Sequence, residues 1–296
     1  MQKKIFLAHL GLLAVALIYG GNYSVAKLVM DPGYLSPETF ILLRISSGVL
    51  LFGLFHRLLI REKVERRHLG RLALCGLFGA AANMLLFFKG LHFTTPISAS
   101  LIMTLTPALV LVSSALLLGE HITRRKVLGI LVGGLGAGWL ILAGKEMAFA
   151  PRQWLGNLLV LANATAFGLY LVLVRSLAQR YHPITIVSWV FFFGWLMVLP
   201  LTVRGLWTTD WSALTTGAWV AVGYVLLGTT FLTYLLNALA LRTVPASTVS
   251  IYIYLQPLFA VIIALSMGKD QLDVVKIGSG LLIFLGVFLV SWRRHA

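Results

Sequence analysis

Apolar positions in this chain come in long runs, with polar residues confined to the intervals between them. Ten runs follow one another: approximately Ile5 to Ala26, Pro37 to Phe55, Leu72 to Leu91, Pro96 to Leu118, Val127 to Ala143, Trp154 to Val174, Pro183 to Val203, Gly217 to Leu241, Ala246 to Met267 and Val274 to Ser291. A bilayer core of about 30 Å needs roughly 20 helical residues, so each run has the length of a membrane-crossing helix. The longest polar connection, Arg57 to Arg71, is too short to fold alone. The pattern therefore predicts an all-α integral membrane protein of ten transmembrane helices, with no fused nucleotidase, kinase or sensing module.

Composition agrees. The 296 residues are 59% hydrophobic and 11% charged, with a mean hydropathy of +0.93, whereas a soluble domain carries roughly 25% charged residues. Too little polar surface is left for a cytosolic enzyme, a secreted disulfide scaffold or a disordered regulator. The single cysteine, Cys75, has no intramolecular partner and reads as a small packing residue. Lys3-Lys4 ahead of an apolar run imitates a signal peptide, but that run has a counterpart later in the chain and is expected to stay as the first span.

The formal charge of +15 changes meaning once it is distributed over the connections. With the N-terminus inside, sixteen Lys and Arg fall on one face, among them Arg57, Arg61, Lys63, Arg66, Arg67, Arg71, Arg124, Arg125 and Lys126. Seven fall on the other, namely Lys27, Lys89, Lys145, Arg152, Arg204, Lys269 and Lys276, and Arg44 lies inside a span. This positive-inside asymmetry puts both termini in the cytoplasm and makes anionic lipid the partner of the basic face. A nucleic-acid partner is not expected.

The chain also resembles itself. A shift of 148 residues aligns Ala14, Ala16, Gly20 and Lys27 with Ala162, Ala164, Gly168 and Arg175. A shift of 146 pairs Pro37 with Pro183 and Gly48 with Gly194; one of 150 pairs Ser100, Pro107, Lys126 and Gly136 with Ser250, Pro257, Lys276 and Gly286. We read residues 1–145 and 152–296 as two five-helix repeats. Five is odd, so the second repeat enters the membrane inverted, an architecture that secondary transporters use to open a site to alternate sides.

Several motifs carry a further likeness: Tyr19-Gly20-Gly21-Asn22-Tyr23 with Lys27, Arg44 in the second span, Thr106-Pro107 in the fourth, Leu118-Gly119-Glu120 closing it, and the glycine-rich fifth span. With these in order across ten spans, the chain resembles the EamA-like branch of the drug/metabolite transporter superfamily. It departs from the pattern at Tyr19, where the family often has Trp, and at Gly268-Lys269-Asp270, in place of Gly-Glu. The resemblance implies an inner-membrane carrier of small metabolites whose central cavity is lined by both halves.

Polar residues at depth are costly and usually functional. No Asp or Glu lies deep in a span, which argues against a carboxylate proton relay or sodium site. Arg44 is the one basic residue clearly inside; its guanidinium can snorkel to the interface or bind a carboxylate in bidentate fashion. Ser100, Thr104 and Pro107 share a helical stripe with repeat mates Ser250, Tyr254 and Pro257, and both prolines are expected to kink their helices. Asn22, Asn83, Asn163, Tyr170, Tyr234, Asn237, Tyr252 and Gln256 complete a candidate pocket, neutral and amphipathic, that suits a small organic solute. Each of them could equally make an interhelical hydrogen bond.

Within the fifth span Gly129 and Gly133, and Gly134 and Gly138, have GxxxG spacing, which favours close helix packing. The histidines are dispersed, no nucleophile-base pair is found, and no cofactor or metal is expected. The sequence thus points to a secondary transporter, an exporter or exchanger of amino acids or drug-like amphiphiles, as monomer or homodimer. A carrier of phosphorylated or nucleotide sugars is the alternative, though Arg44, Lys27 and Lys89 are a thin supply of cations for it; a membrane enzyme is a remote third.

Overall fold

The structure, a computed structural model, describes residues 2–119, 122–146, 152–241, 243–244 and 252–291. Among them there is no strand. Helix α1 is Gln2–Met30, α2 Pro37–Ile60, α3 Arg66–Phe93, α4 Pro96–Leu118, α5 Arg124–Glu146, α6 Gln153–Ala178 and α7 Pro183–Thr202. Then come α8, made of Thr216–Gly223, Tyr224–Leu232 and Thr233–Leu241, α9 at Leu255–Ser266 and α10 at Val274–Ser291. Eight of these helices are long and apolar enough to cross a bilayer; α9 and α10 are shorter. Glu120, Ser250 with its neighbours in 245–251, and the side chain of Tyr234 lie outside the described residues.

Helix starts follow local chemistry. Ser36 Oγ accepts the Thr39 N–H at 3.2 Å while Pro37 takes the first turn, and Thr95 before Pro96 and Thr215 before Thr216 repeat the device. Gly119, at φ 67°, ends α4 in the left-handed region that a side chain disfavours.

A helix break precedes Pro107, and a turn precedes Pro257. Helix α4 stops at Met103 and restarts at Thr106, because the Pro107 ring has no N–H and collides with the carbonyl four residues back, that of Met103. The Thr106 hydroxyl donates to that freed carbonyl at 2.6 Å. Ahead of Pro257 the chain turns at Tyr254 and α9 begins at Leu255. Wider π-helical winding interrupts α3 at Leu77–Ala81 and α8 at Tyr224–Leu232.

The main packing joins the first five helices to the last five. Helix α1 lies against α8 and α9, α2 against α7 and α8, α3 against α6 and α7, α4 against α6 and α9, and α5 against α10. Glycines set the closest approaches. A Cβ on Gly20 would lie 2.6 Å from Phe259 Cβ and 2.9 Å from the Gln256 carbonyl. Gly129 and Gly136 face the Gly286 and Ser279 carbonyls of α10 in the same way, whereas Gly134 and Gly138 meet nothing within 4 Å. Cys75 is buried, as expected of a packing residue.

Two polar layers mark opposite ends of the bundle. At one end Lys27, Asp31, Thr94, Lys269, Asp270 and Lys276 are joined by ion pairs and hydrogen bonds. At the other, Glu62 accepts the His182 N–H at 2.9 Å and the Tyr181 hydroxyl lies 2.7 Å from His68 Nδ1. The latter end carries Arg57, Arg61, Lys63, Arg66, Arg67 and Arg71.

Candidate substrate site

The middle of α1 presents Tyr19, Asn22 and Tyr23 at i, i+3 and i+4, hence on one face. Tyr19 reaches α8, its hydroxyl 3.1 Å from Thr233 Oγ1, and Tyr23 packs edge-on against Phe87 of α3 with ring centroids 5.7 Å apart. Asn22 stands between them at 4% exposure, and its Oδ1 has no hydrogen-bond partner in the protein. A buried acceptor left unmatched costs about 1–3 kcal/mol.

Arg44 closes the same region from α2. Its Nε donates to Thr230 Oγ1 of α8 at 3.1 Å, and the guanidinium lies over the Phe88 ring of α3, 5.4 Å from the centroid. Thr230 in turn donates to the Val225 carbonyl five residues back at 3.1 Å, a bond that exists because this part of α8 is π-wound. The arginine is thus held by one neighbour's hydroxyl and another's ring, across the seam between the two halves of the chain.

Of the other residues singled out from the sequence, Asn83 and Asn163 meet directly. Asn83 Nδ2 donates to Asn163 Oδ1 at 2.7 Å, and Asn163 Nδ2 lies 3.7 Å from Met103 Sδ beside the α4 break. Thr104, within that break, turns its hydroxyl back to the Ser100 carbonyl at 3.0 Å. Tyr170 packs its ring against Gly79 in the π-wound turn of α3, where any Cβ would collide with it. Asn237 and Gln256 are half-buried on α8 and α9.

Tyr252 is not brought to this group. Its hydroxyl sits 2.8 Å from His9 Nδ1, and His9 precedes Tyr19 on α1 by a distance of about 15 Å at 1.5 Å per residue. Tyr19 and Thr233 were not singled out as site residues from the sequence. Both left a signal: Tyr19 opens the Tyr-Gly-Gly-Asn-Tyr motif, and the shift of 150 makes Thr233 the repeat mate of Asn83.

The Asn83 and Asn163 contact yields a first prediction. Asn163 is 1% exposed, so Asn163→Ala removes a buried amide, leaves the half-buried Asn83 donor without its acceptor and lowers stability by about 1–2 kcal/mol. The double variant with Asn83→Ala should lose less than the sum of the two single losses, with a coupling of about 1 kcal/mol. Midpoints of thermal unfolding for the four proteins measure it, and strict additivity would refute the contact.

Glu65 and Asp210 lie outside the spans and are exposed. The Arg67 side chain hydrogen-bonds Glu65 and holds its carboxyl below the usual carboxylate range; the Ser212 hydroxyl does the same for Asp210. Both remain charged at neutral pH.

The sequence profile of the EamA-like transporter family matches residues 6–142 and again 154–292. "Uncharacterized transporter YyaM" of Bacillus subtilis is 24% identical over 96% of this chain and 93% of its own. A protein of Streptantibioticus cattleyicolor named "Probable terminal-alkyne amino-acid exporter" is 27% identical over 78% of this chain and 76% of its own. A crystal structure at 18% identity superposes with a TM-score of 0.61 over 98% of this chain and 97% of that one, which shows a common fold. A chain with eight membrane-capable helices and no strand among its described residues, matched twice over most of its length by one transporter profile, is a membrane transporter and belongs to the EamA-like transporter family.

Proposed function

We propose that the protein is a ten-helix secondary transporter, built of inverted repeats at residues 1–145 and 152–296, that moves small carboxylate-bearing organic solutes across the cytoplasmic membrane by alternating access. Amino acids are the foremost class. The observation that carries this reading is that α8 receives Arg44 at Thr230 and, one turn on at Thr233, Tyr19 of the α1 face that also holds the unmatched Asn22 acceptor. A guanidinium suits a carboxylate, and an amide oxygen suits an ammonium or other N–H donor, which together describe a zwitterion.

The packing supports the repeat. Exchanging each helix with the one five places later turns α1 on α8 into α6 on α3, α1 on α9 into α6 on α4, and α2 on α8 into α7 on α3. It leaves α2 on α7, α4 on α9 and α5 on α10 unchanged. The π-wound segments of α3 and α8 fall at corresponding positions, as do the breaks before Pro107 and Pro257. The charge asymmetry supports cytoplasmic termini, and the name of the Streptantibioticus relative supports amino-acid export. Sugar phosphates fit less well: Lys27 is occupied by two carbonyls and Asp31, and Lys89 by Glu38 at 3.1 Å.

Purified protein should gain thermal stability from amino acids, since a ligand of the folded state stabilises in proportion to its occupancy. A panel of zwitterionic amino acids, their uncharged amides, sugar phosphates and quaternary ammonium compounds distinguishes the readings. Larger shifts with a permanent cation than with any amino acid would overturn the carboxylate reading.

A further inference from the structure

The end of the bundle that carries Asp31 and Asp270 holds an ion-pair chain that crosses from one half of the molecule to the other. Lys27, within α1, donates to the Leu91 and Thr94 carbonyls at the end of α3, at 3.1 and 3.0 Å, and pairs with Asp31 at 3.1 Å. Asp31 pairs at 3.5 Å with Lys269, in the loop between α9 and α10. The next residue, Asp270, accepts the Ile97 N–H at the start of α4 at 3.0 Å with one oxygen and Lys276 at 2.8 Å with the other. Lys276 also donates to the Gln271 carbonyl at 2.6 Å. The Asp270 and Lys276 side chains are 3% and 7% exposed.

A buried ion pair of this kind is a poor device for stability. Desolvating the two charges costs about as much as their attraction returns, and apolar residues of equal volume do as well or better. Asp270 and Lys276 stand on the same side of the seam, and what crosses it are the Ile97 N–H bond to Asp270 and the Asp31–Lys269 pair, so the charges matter for what they become when those contacts part. Apolar surfaces lose about 25 cal/mol per Å² when water enters between them, whereas an ammonium and a carboxylate are rehydrated. The chain spans α1, α3, α4 and the α9 to α10 loop, that is, both halves at one end.

We infer that Asp270 and Lys276, continued by Lys269, Asp31 and Lys27, form the gate that seals this end of the transport route. The inference rests on the alternating-access reading above for its role, though the seal itself is a local property. The departure at Gly268-Lys269-Asp270 from the Gly-Glu pattern acquires a purpose here, since it supplies two consecutive charges of opposite sign, one for each partner across the seam. The shift of 150 that pairs Lys276 with Lys126, and that of 148 pairing Lys27 with Arg175, put cations at the matching positions of the opposite end.

Two reporter cysteines test this in Cys75→Ala protein held in lipid nanodiscs, where both ends meet solvent. Ser100→Cys lies buried on α4 one turn below Ile97, and Ala240→Cys lies buried near the other end, beside Leu12. The rate of reaction with a charged maleimide is measured with and without Asp270→Asn, which keeps an acceptor for Ile97 but removes the charge. The gate predicts about a tenfold faster reaction at Ser100→Cys, and alternation predicts a slower one at Ala240→Cys. Acceleration at Ser100→Cys alone supports the seal and overturns the alternation on which its role rests. No acceleration there overturns the gate and leaves alternation standing. Lys276→Met, which removes the cation instead, must act in the same direction; with either variant, an unchanged gel-filtration profile verifies the fold, and disagreement between the two refutes the pair as a unit.

Discussion

Arg44→Gln is expected to abolish the thermal shift produced by carboxylate-bearing amino acids while leaving the fold intact. Arg44 is fixed by a 3.1 Å hydrogen bond to Thr230 and by the Phe88 ring, so its direction is set before a ligand arrives. A charge-assisted hydrogen bond to a carboxylate contributes about 3 kcal/mol at most, and that is about a 100-fold loss of affinity at 1.4 kcal/mol per decade. Arg44→Lys should fail almost as badly, because an ammonium lacks the planar fork and cannot hold Thr230 and a carboxylate together in the same geometry. Thr230→Val keeps the charge and releases the anchor, so a smaller loss, about tenfold, is expected. Isothermal titration of the four proteins with one amino acid identified by the panel gives the order directly. Full binding by Arg44→Gln would remove the guanidinium from the site.

The second large effect concerns stability and discriminates between two glycine pairs that look alike in sequence. Gly286→Ala should lower stability by more than about 3 kcal/mol, because the new methyl group would lie 2.6 Å from the Gly129 carbonyl and closer still to the Gly133 amide. Those neighbours are backbone and cannot swing aside. Gly129→Ala meets the Gly286 carbonyl at 2.6 Å and should be similarly damaging. Gly134→Ala and Gly138→Ala meet nothing within 4 Å, so they should change stability by less than about 0.5 kcal/mol or raise it slightly through better helix propensity. Midpoints of unfolding in detergent measure all four, and a Gly134→Ala loss as large as that of Gly286→Ala would mean that the α5 face assigned to packing is the wrong one.

These two cases also show what could be read from the chain and what could not. GxxxG spacing announced close packing on α5, but sequence alone does not say which of two successive glycine pairs faces α10; that depends on how the helix is rotated. The breaks before Pro107 and Pro257 were legible because proline acts through its own backbone, whatever surrounds it. Arg44 and Thr230 were each legible as polar groups at depth, whereas their contact was not, since it joins residues 186 apart and depends on the packing of α2 on α8. Tyr252 carries the same phenol as Tyr170 and Tyr19, yet it bonds His9 toward one end of the bundle. Residue type identified the chemistry of these tyrosines, and only the fold assigned their depth.

The π-wound turns of α3 and α8 have a mechanical consequence. Such a turn contains one residue beyond what α-helical winding requires, and that surplus can migrate along the helix one step at a time. Each residue it passes rotates by about 100°, the angular step of an α-helix, while the stretches above and below keep their register. Thr230 lies inside one of these turns, and Asn83 and Thr233 lie just beyond them. Their side chains can therefore swing toward or away from the neighbouring helices without either long helix sliding or the bundle coming apart.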